Sequence, residues 1–276
     1  IEELKRNDKL VIKTIAAPRI FHVTIDVRKP PFDNVKVRQA LNHAVDVNAI
    51  LKSLYFGYGS RLATAVDRGS LGYDPSLQPY PYDPNKARAL LAEAGFPNGF
   101  ETEFDSFTGS IADHAKPAEA IVGFLQKVGV KVKQNVFEFS AFGPRRVQNK
   151  TAPLFIYSIG NAYLEPSWVI RWLTQGGLGM HYKNARLDEM LTRIEATDDA
   201  RQRAPLYADV QRLLKDEAPF IFLFQADAVF GMEYAQAEAM GAELPGPAGK
   251  RQPLAKGTKA FQKERTGGGD FNTNVQ

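Results

Sequence analysis

Two phrases constrain this chain more than anything else in it: residues 29–50, KPPFDNVKVRQALNHAVDVNAI, and residues 72–100, GYDPSLQPYPYDPNKARALLAEAGFPNGF. Each runs from prolines to an aspartate and then into an amphipathic helix with a firm stop. Pro30 and Pro31 hold the chain extended, since proline lacks the N–H that a helix interior needs. Asp33 then offers a carboxylate to the free N–H groups of the following turn, and is the expected N-cap. Val37, Leu41, Ala44 and Val45 recur at helical spacing, so one face is apolar. Asp46 is placed to cap a second short helix running to about Gly57. In the later phrase Asp83 is the N-cap, Pro84 opens the helix where its missing N–H costs nothing, and Gly95 closes it.

The remaining pattern is that of an α/β chain. Phe21, Val23, Ile25 and Val27 alternate with His22, Thr24, Asp26 and Arg28, the period of a half-buried strand. Strands are predicted at 101–107 and 130–136, with a helix at about 113–128 between them, which implies a right-handed βαβ unit. A short helix over 141–149 and an apolar strand over 154–159 follow. Leu187, Met190, Leu191 and Ile194 mark one buried helical stripe; Leu206, Val210, Leu213 and Leu214 mark another. Pro205 lies inside the second pattern, so that helix either starts near Ala204 or carries a kink. Phe220 to Phe224 reads as a final strand. From about Glu233 glycine and proline become frequent and large apolar residues sparse, the composition of a flexible tail.

Little here is reactive. The chain has no cysteine, which removes thiol catalysis, disulfides and zinc–thiolate sites. Its histidines, His22, His43, His114 and His181, have no i, i+4 pairing, so neither a metal nor another cofactor is expected. No GxSxG, GxxxxGK[ST] or GxGxxG phrase occurs. A net charge of +4 with scattered basic residues gives no footprint for nucleic acid. No apolar run approaches the ~20 residues that span a bilayer. The stretch with binding promise is 157–172, YSIGNAYLEPSWVIRW, where an apolar strand ends in a polar, glycine-bearing loop. That is the carboxyl edge where open α/β sheets place ligands. Trp168 and Trp172 read first as interior packing for a short helix.

The phrases at 31–46 and 82–100, in this order and separation, resemble the extracellular solute-binding protein family 5, the peptide-, nickel- and glutathione-binding receptors of bacterial ABC importers. The likeness extends through GVKV (129–132), GNAYLEP (160–166), HYKNARLDEML (181–191) and 219–232. It implies the second lobe of a two-lobed periplasmic-binding-protein fold, a mixed sheet with flanking helices. On that basis residues 1–28 are expected to be a remnant of the first lobe and a crossover strand, 29–228 the second lobe, and 229–276 an atypical tail. The implied function is capture of a small solute such as an oligopeptide, not catalysis. The implied partners are a membrane permease and an N-terminal lobe preceding this chain, in the periplasm or outside the cell.

Residue by residue, the resemblance puts an aromatic that lines the cleft at Phe139 and an arginine that meets a ligand carboxylate at Arg146, with Arg145 as its possible substitute. It puts the binding loop at Ser158, Ile159, Gly160, Asn161, Ala162 and Tyr163. Ile159 stands where peptide binders carry a tryptophan, and Ala162 where they carry the aspartate that pairs with a peptide's α-ammonium. A free-amine peptide is therefore not the expected ligand. The competing reading, a small α/β hydrolase or transferase, requires a nucleophile beside a base in the folded cleft.

Overall fold

The computed structural model describes residues 6, 10–110, 112–161, 164–176 and 181–233. The chain divides into two compact units, one from Ala16 to Asp227 and one made of Ile1–Ile15 with Ala228–Gln276. The expected flexible tail lies, from 234 onward, outside the described residues.

The elements in chain order are strand β1 (Leu10–Ile25), helices α1 (Val35–Ala44) and α2 (Val47–Leu54), strand β2 (Gly59–Arg61), helix α3 (Pro84–Glu93), strand β3 (Glu101–Thr108), helix α4 (Ala115–Gln126) and strand β4 (Lys131–Glu138). There follow helix α5 (Phe139–Val147), strand β5 (Leu154–Gly160), helix α6 (Pro166–Arg171), which passes into a π-helical turn (Trp172–Gly176), helices α7 (Ala185–Glu195) and α8 (Ala200–Glu217), and strand β6 (Phe220–Glu233). The strands form one mixed sheet in the order β2-β6-β1-β5-β3-β4. β1 runs antiparallel to β5, with Phe21 opposite Ser158 and His22 opposite Tyr157. β3 lies parallel to both β4 and β5. The β3-α4-β4 crossover is thus the expected βαβ unit.

Helices cover both faces of the sheet. On one, Phe21, Val23 and Ile25 pack with Leu154, Ile156, Ile221 and Leu223 beneath α1 to α4. On the other, Ile20, Ile159, Phe220 and Phe222 meet Val169, Ile170, Leu187, Leu191, Tyr207 and Val210. This corrects the half-buried reading of β1. Its polar alternates, His22, Thr24 and Asp26, are buried as well, because a strand covered on both faces has no solvent side.

The caps decide where helices begin. Asn34, one residue later than Asp33, caps α1, accepting from Lys36 N at 2.9 Å. Asp46 caps α2 through Ala49 N, and Asp83 caps α3 through Asn85 N and Lys86 N. α2 stops at Leu54, short of Gly57, where Phe56 and Gly57 turn to positive φ. Asp199 caps α8, so Pro205 sits inside that helix at its second turn and does not start it.

Gly99 shows how closely the loops approach. Its φ is +75°, and a Cβ there would lie 1.9 Å from the Gly129 carbonyl oxygen. Gly99→Ala is expected to lose about 3 kcal/mol, combining left-handed strain with backbone overpacking. Gly95→Ala, also at positive φ but with no atom within 4 Å of the added carbon, should lose only about 1 kcal/mol. Urea midpoints of the two variants check this, and equal losses would contradict it.

Candidate functional site

β3, β4 and β5 end together at one edge of the sheet, and the side chains that converge there come from five elements. Phe107 near the end of β3 stacks on Phe142 of α5 at 4.5 Å between centroids, and Phe155 of β5 joins them in a small aromatic core. Arg146, one turn further along α5, points into the same region. Its guanidinium lies 4.1 Å from the Tyr157 ring centroid and 4.2 Å from that of Trp172, and the two rings are 26° from parallel. The residue is only 6% exposed. Burial pulls its pKa down, and Tyr157 alone opposes that pull. Among the described residues no carboxylate lies within ion-pair distance of it. The two rings stack on each other, and a guanidinium set against both is stabilised by cation–π attraction yet keeps N–H donors in its own plane for a planar anion.

Arg145 is occupied elsewhere. It donates to Lys150 O at 2.9 Å, stands over the Phe137 ring and approaches the fully buried Asp105 at 3.9 Å. Phe139 opens α5, 5.2 Å from Phe107 and 41% exposed, so its ring contributes apolar surface at this edge. Trp172 stacks as described, but Trp168 is 43% exposed and is not the interior packing expected of it. α6 is a single short helix whose buried side, Pro166, Ser167, Val169 and Ile170, leaves Trp168 outward.

The binding-loop residues divide by strand alternation. Ile159 points into the second core beside Ile20. Gly160 pairs with Arg19 across β1, and Asn161 N donates to Pro18 O at 2.6 Å. The Asn161 side chain is buried and donates to Ser70 Oγ at 2.6 Å. Ala162 and Tyr163 lie outside the described residues. Ser158 points to the opposite face from Tyr157, where it accepts from Arg19 Nη1 at 3.2 Å and contacts His114 Nε2 at 3.0 Å.

That Ser158–His114 contact is the geometry of a nucleophile beside a base, so its electrostatics matter. His114 Nδ1 lies 2.8 Å from Ala112 O, which can only accept. Nε2 is therefore the unprotonated nitrogen, accepting from the serine hydroxyl. Burial, partly offset by the Ala112 carbonyl and joined by nearby Arg19, lowers the imidazole to about 4. A general base works best with a pKa near the operating pH and an orienting group that welcomes its proton. This pair has a neutral carbonyl behind it and a guanidinium in front. It reads as a buried structural bond.

Sequence reasoning missed His22. It lies on β1 opposite Tyr157, buried, with neither ring nitrogen hydrogen-bonded among the described residues. Burial, then Arg146, then His114 hold it neutral, with a pKa near 3. Only the strand alternation could have flagged it, as an inward polar residue.

Residues 1–179 match the family model described as bacterial extracellular solute-binding proteins, family 5, middle part. The chain belongs to that family. This family-5 chain is 33% identical over 230 residues to heme-binding protein A of Haemophilus influenzae, covering 80% of the chain and 42% of that protein. It is 33% identical over 240 residues to the glutathione-binding protein GsiB of Pectobacterium atrosepticum, covering 80% and 45%. Its fold superposes on HbpA2 of Haemophilus parasuis with a TM-score of 0.77 at 27% identity, over 84% of the chain and 47% of that structure. The family-5 chain thus spans less than half the length of these relatives.

Proposed function

We propose that the unit from Ala16 to Asp227 is one wall of the solute cleft of a bacterial importer receptor. Arg146, set against the stacked rings of Tyr157 and Trp172, receives a carboxylate of the solute there. The observation that carries this reading is a guanidinium only 6% exposed with no carboxylate partner among the described residues. A buried charge without a partner is costly unless a ligand completes it. Phe139 flanks the solute, and the end of β5 at Ser158 to Asn161 borders it. The opposing wall is supplied by an N-terminal lobe, and the closed receptor is presented to a membrane permease at the outer face of the cytoplasmic membrane. Relatives named for glutathione and heme, both carboxylate-bearing molecules, support an anionic solute.

The test is titration calorimetry on a receptor that joins this chain to an N-terminal lobe, with glutathione as probe. Arg146→Met is expected to weaken binding by roughly 10- to 100-fold, the worth of a charge-assisted hydrogen bond to a desolvated carboxylate. Arg146→Lys should recover little, because an ammonium can neither stack nor chelate in a plane. Unchanged affinity in Arg146→Met would refute the assignment. The chain alone, holding one wall, is expected to bind weakly or not at all.

A further inference from the structure

On the face of β5 opposite Arg146, a chain of hydrogen bonds runs in one direction and begins on an arginine. Arg19 Nη1 donates to Ser158 Oγ at 3.2 Å, Ser158 Oγ donates its single proton to His114 Nε2, and His114 Nδ1 donates to Ala112 O. Ser158 and His114 are buried. Burial keeps the imidazole neutral, which fixes the direction of the chain. Arg19 itself is half-buried and is anchored through one nitrogen. It stands opposite Gly160 across the β1–β5 ladder, and a Cβ at Gly160 would lie 3.9 Å from its Nη2. The missing side chain leaves that flank of the guanidinium uncovered. No carboxylate of the described residues lies within ion-pair distance of Arg19. Asp113, beside His114 in the chain, is committed to Ala115 N at 3.0 Å and to Lys116 at 3.8 Å.

Two guanidiniums therefore flank the end of one strand, Arg146 against Tyr157 and Arg19 against the next residue, Ser158. The faces meet at this edge: the His114 ring is centred 4.1 Å from that of Phe107 and 5.4 Å from that of Phe21. An arginine held by a neutral anchor, with its other donors free, is preorganised to chelate an anion. We propose that Arg19 is a second anion receptor of the cleft, and that the solute carries two carboxylates, one received on each face of β5. Ser158 and His114 are positioning residues for Arg19. The inference rests on the solute-cleft reading and adds to it a charge pattern, that of a diacid. A monoacid would leave one of the two cations unmatched.

The test uses glutathione, which has two carboxylates, and its two mono-amides, one at the glycine carboxylate and one at the γ-glutamyl α-carboxylate. All three are titrated into the two-lobed receptor as wild type, Arg19→Met and Arg146→Met. Each variant should weaken glutathione at least roughly tenfold, and so should each amide in wild type. The loss caused by one amide should vanish in Arg19→Met and persist in Arg146→Met, and the loss caused by the other should do the reverse. Arg19→Gln, which keeps a donor for Ser158 Oγ, is the second variant and should behave as Arg19→Met. Amide losses undiminished in both Arg19 variants overturn the assignment, because Arg19 then meets a carboxylate of the opposing lobe or none. Unchanged glutathione affinity in the Arg19 variants, with a loss in Arg146→Met, also overturns it and leaves the cleft reading standing. A loss in the Arg19 variants with none in Arg146→Met removes Arg146 from the site and keeps Arg19 in it. Glutathione that binds wild type no better than the double variant Arg19→Met, Arg146→Met overturns both assignments.

Discussion

Arg38→Met is expected to destabilise the Ala16–Asp227 unit by about 3–5 kcal/mol, the cost of removing one member of a buried ionic network. Arg38 is buried, and its donors reach four acceptors on two distant stretches of chain. Nη1 donates to Phe32 O at 2.9 Å and Asp33 O at 3.0 Å; Nε donates to Glu217 O at 2.8 Å, and Nη2 to the Glu217 carboxylate at 3.2 Å. Methionine fills the volume but satisfies none of these oxygens, and each carbonyl left dry costs about 1–3 kcal/mol. Asn42, one turn on, continues the network: its Nδ2 donates to Phe220 O, and Phe222 N donates to its Oδ1. The VRQALN phrase thus joins α1 to the corner between α8 and β6, some 180 residues away. Arg38→Lys should recover part of the loss, since one ammonium reaches fewer of the acceptors. A urea midpoint for Arg38→Met within 1 kcal/mol of wild type would show that water replaces the guanidinium at no cost.

That network also explains what could be read from the residues. The phrases around α1, α2 and α3 were legible because their signals are local: an Asx residue before the first turn, proline at the first helical position of α3, glycine after its end. The shift from Asp33 to Asn34 is within what capping chemistry can resolve, since either side chain reaches the free N–H groups and the backbone of Asp33 is committed to Arg38. The first half of β1 was not legible. VIKTIAAPR has no clean alternation and carries Pro18, whose missing N–H argues against a strand. β6 was read to Phe224 and continues to Glu233 because QADAVFGME lacks a periodic apolar face. The π-helical turn that places Trp172 against Arg146 leaves no sequence mark at all. Of the candidate site, Arg146 and Phe139 came only through resemblance to a family. Its aromatic partners were visible as aromatics but not as a cluster, because Arg146, Tyr157 and Trp172 meet only when β5 is inserted between β1 and β3.

Acid should unfold this unit earlier than its carboxylates alone would dictate. His22 and His114 are both buried and neutral, with folded pKa values near 3 and 4, against about 6.5 in the unfolded chain. Between those limits the unfolded state binds more protons than the folded one, so stability is full above pH 6.5 and falls as the pH drops below it. Each histidine contributes a slope of up to about 1.4 kcal/mol per pH unit, so the pair removes about 5 kcal/mol between pH 6.5 and 4.5. That is a large part of the 5–15 kcal/mol typical of a domain. Asp26 adds a second limb at lower pH. Burial would raise its carboxyl, but hydrogen bonds from His181 and Arg28 outweigh burial and hold it below the usual carboxylate range. Its contribution is therefore present above about pH 4 and is lost as the pH falls further. Urea melts of wild type and of the double variant His22→Phe, His114→Gln from pH 7.5 to 4.5 separate the two limbs. The double variant should be nearly flat across this range, whatever its absolute stability. A wild-type curve flat between pH 6.5 and 4.5 would mean that both imidazoles accept protons in the folded state, and that this edge of the sheet opens to water far more readily than its packing implies.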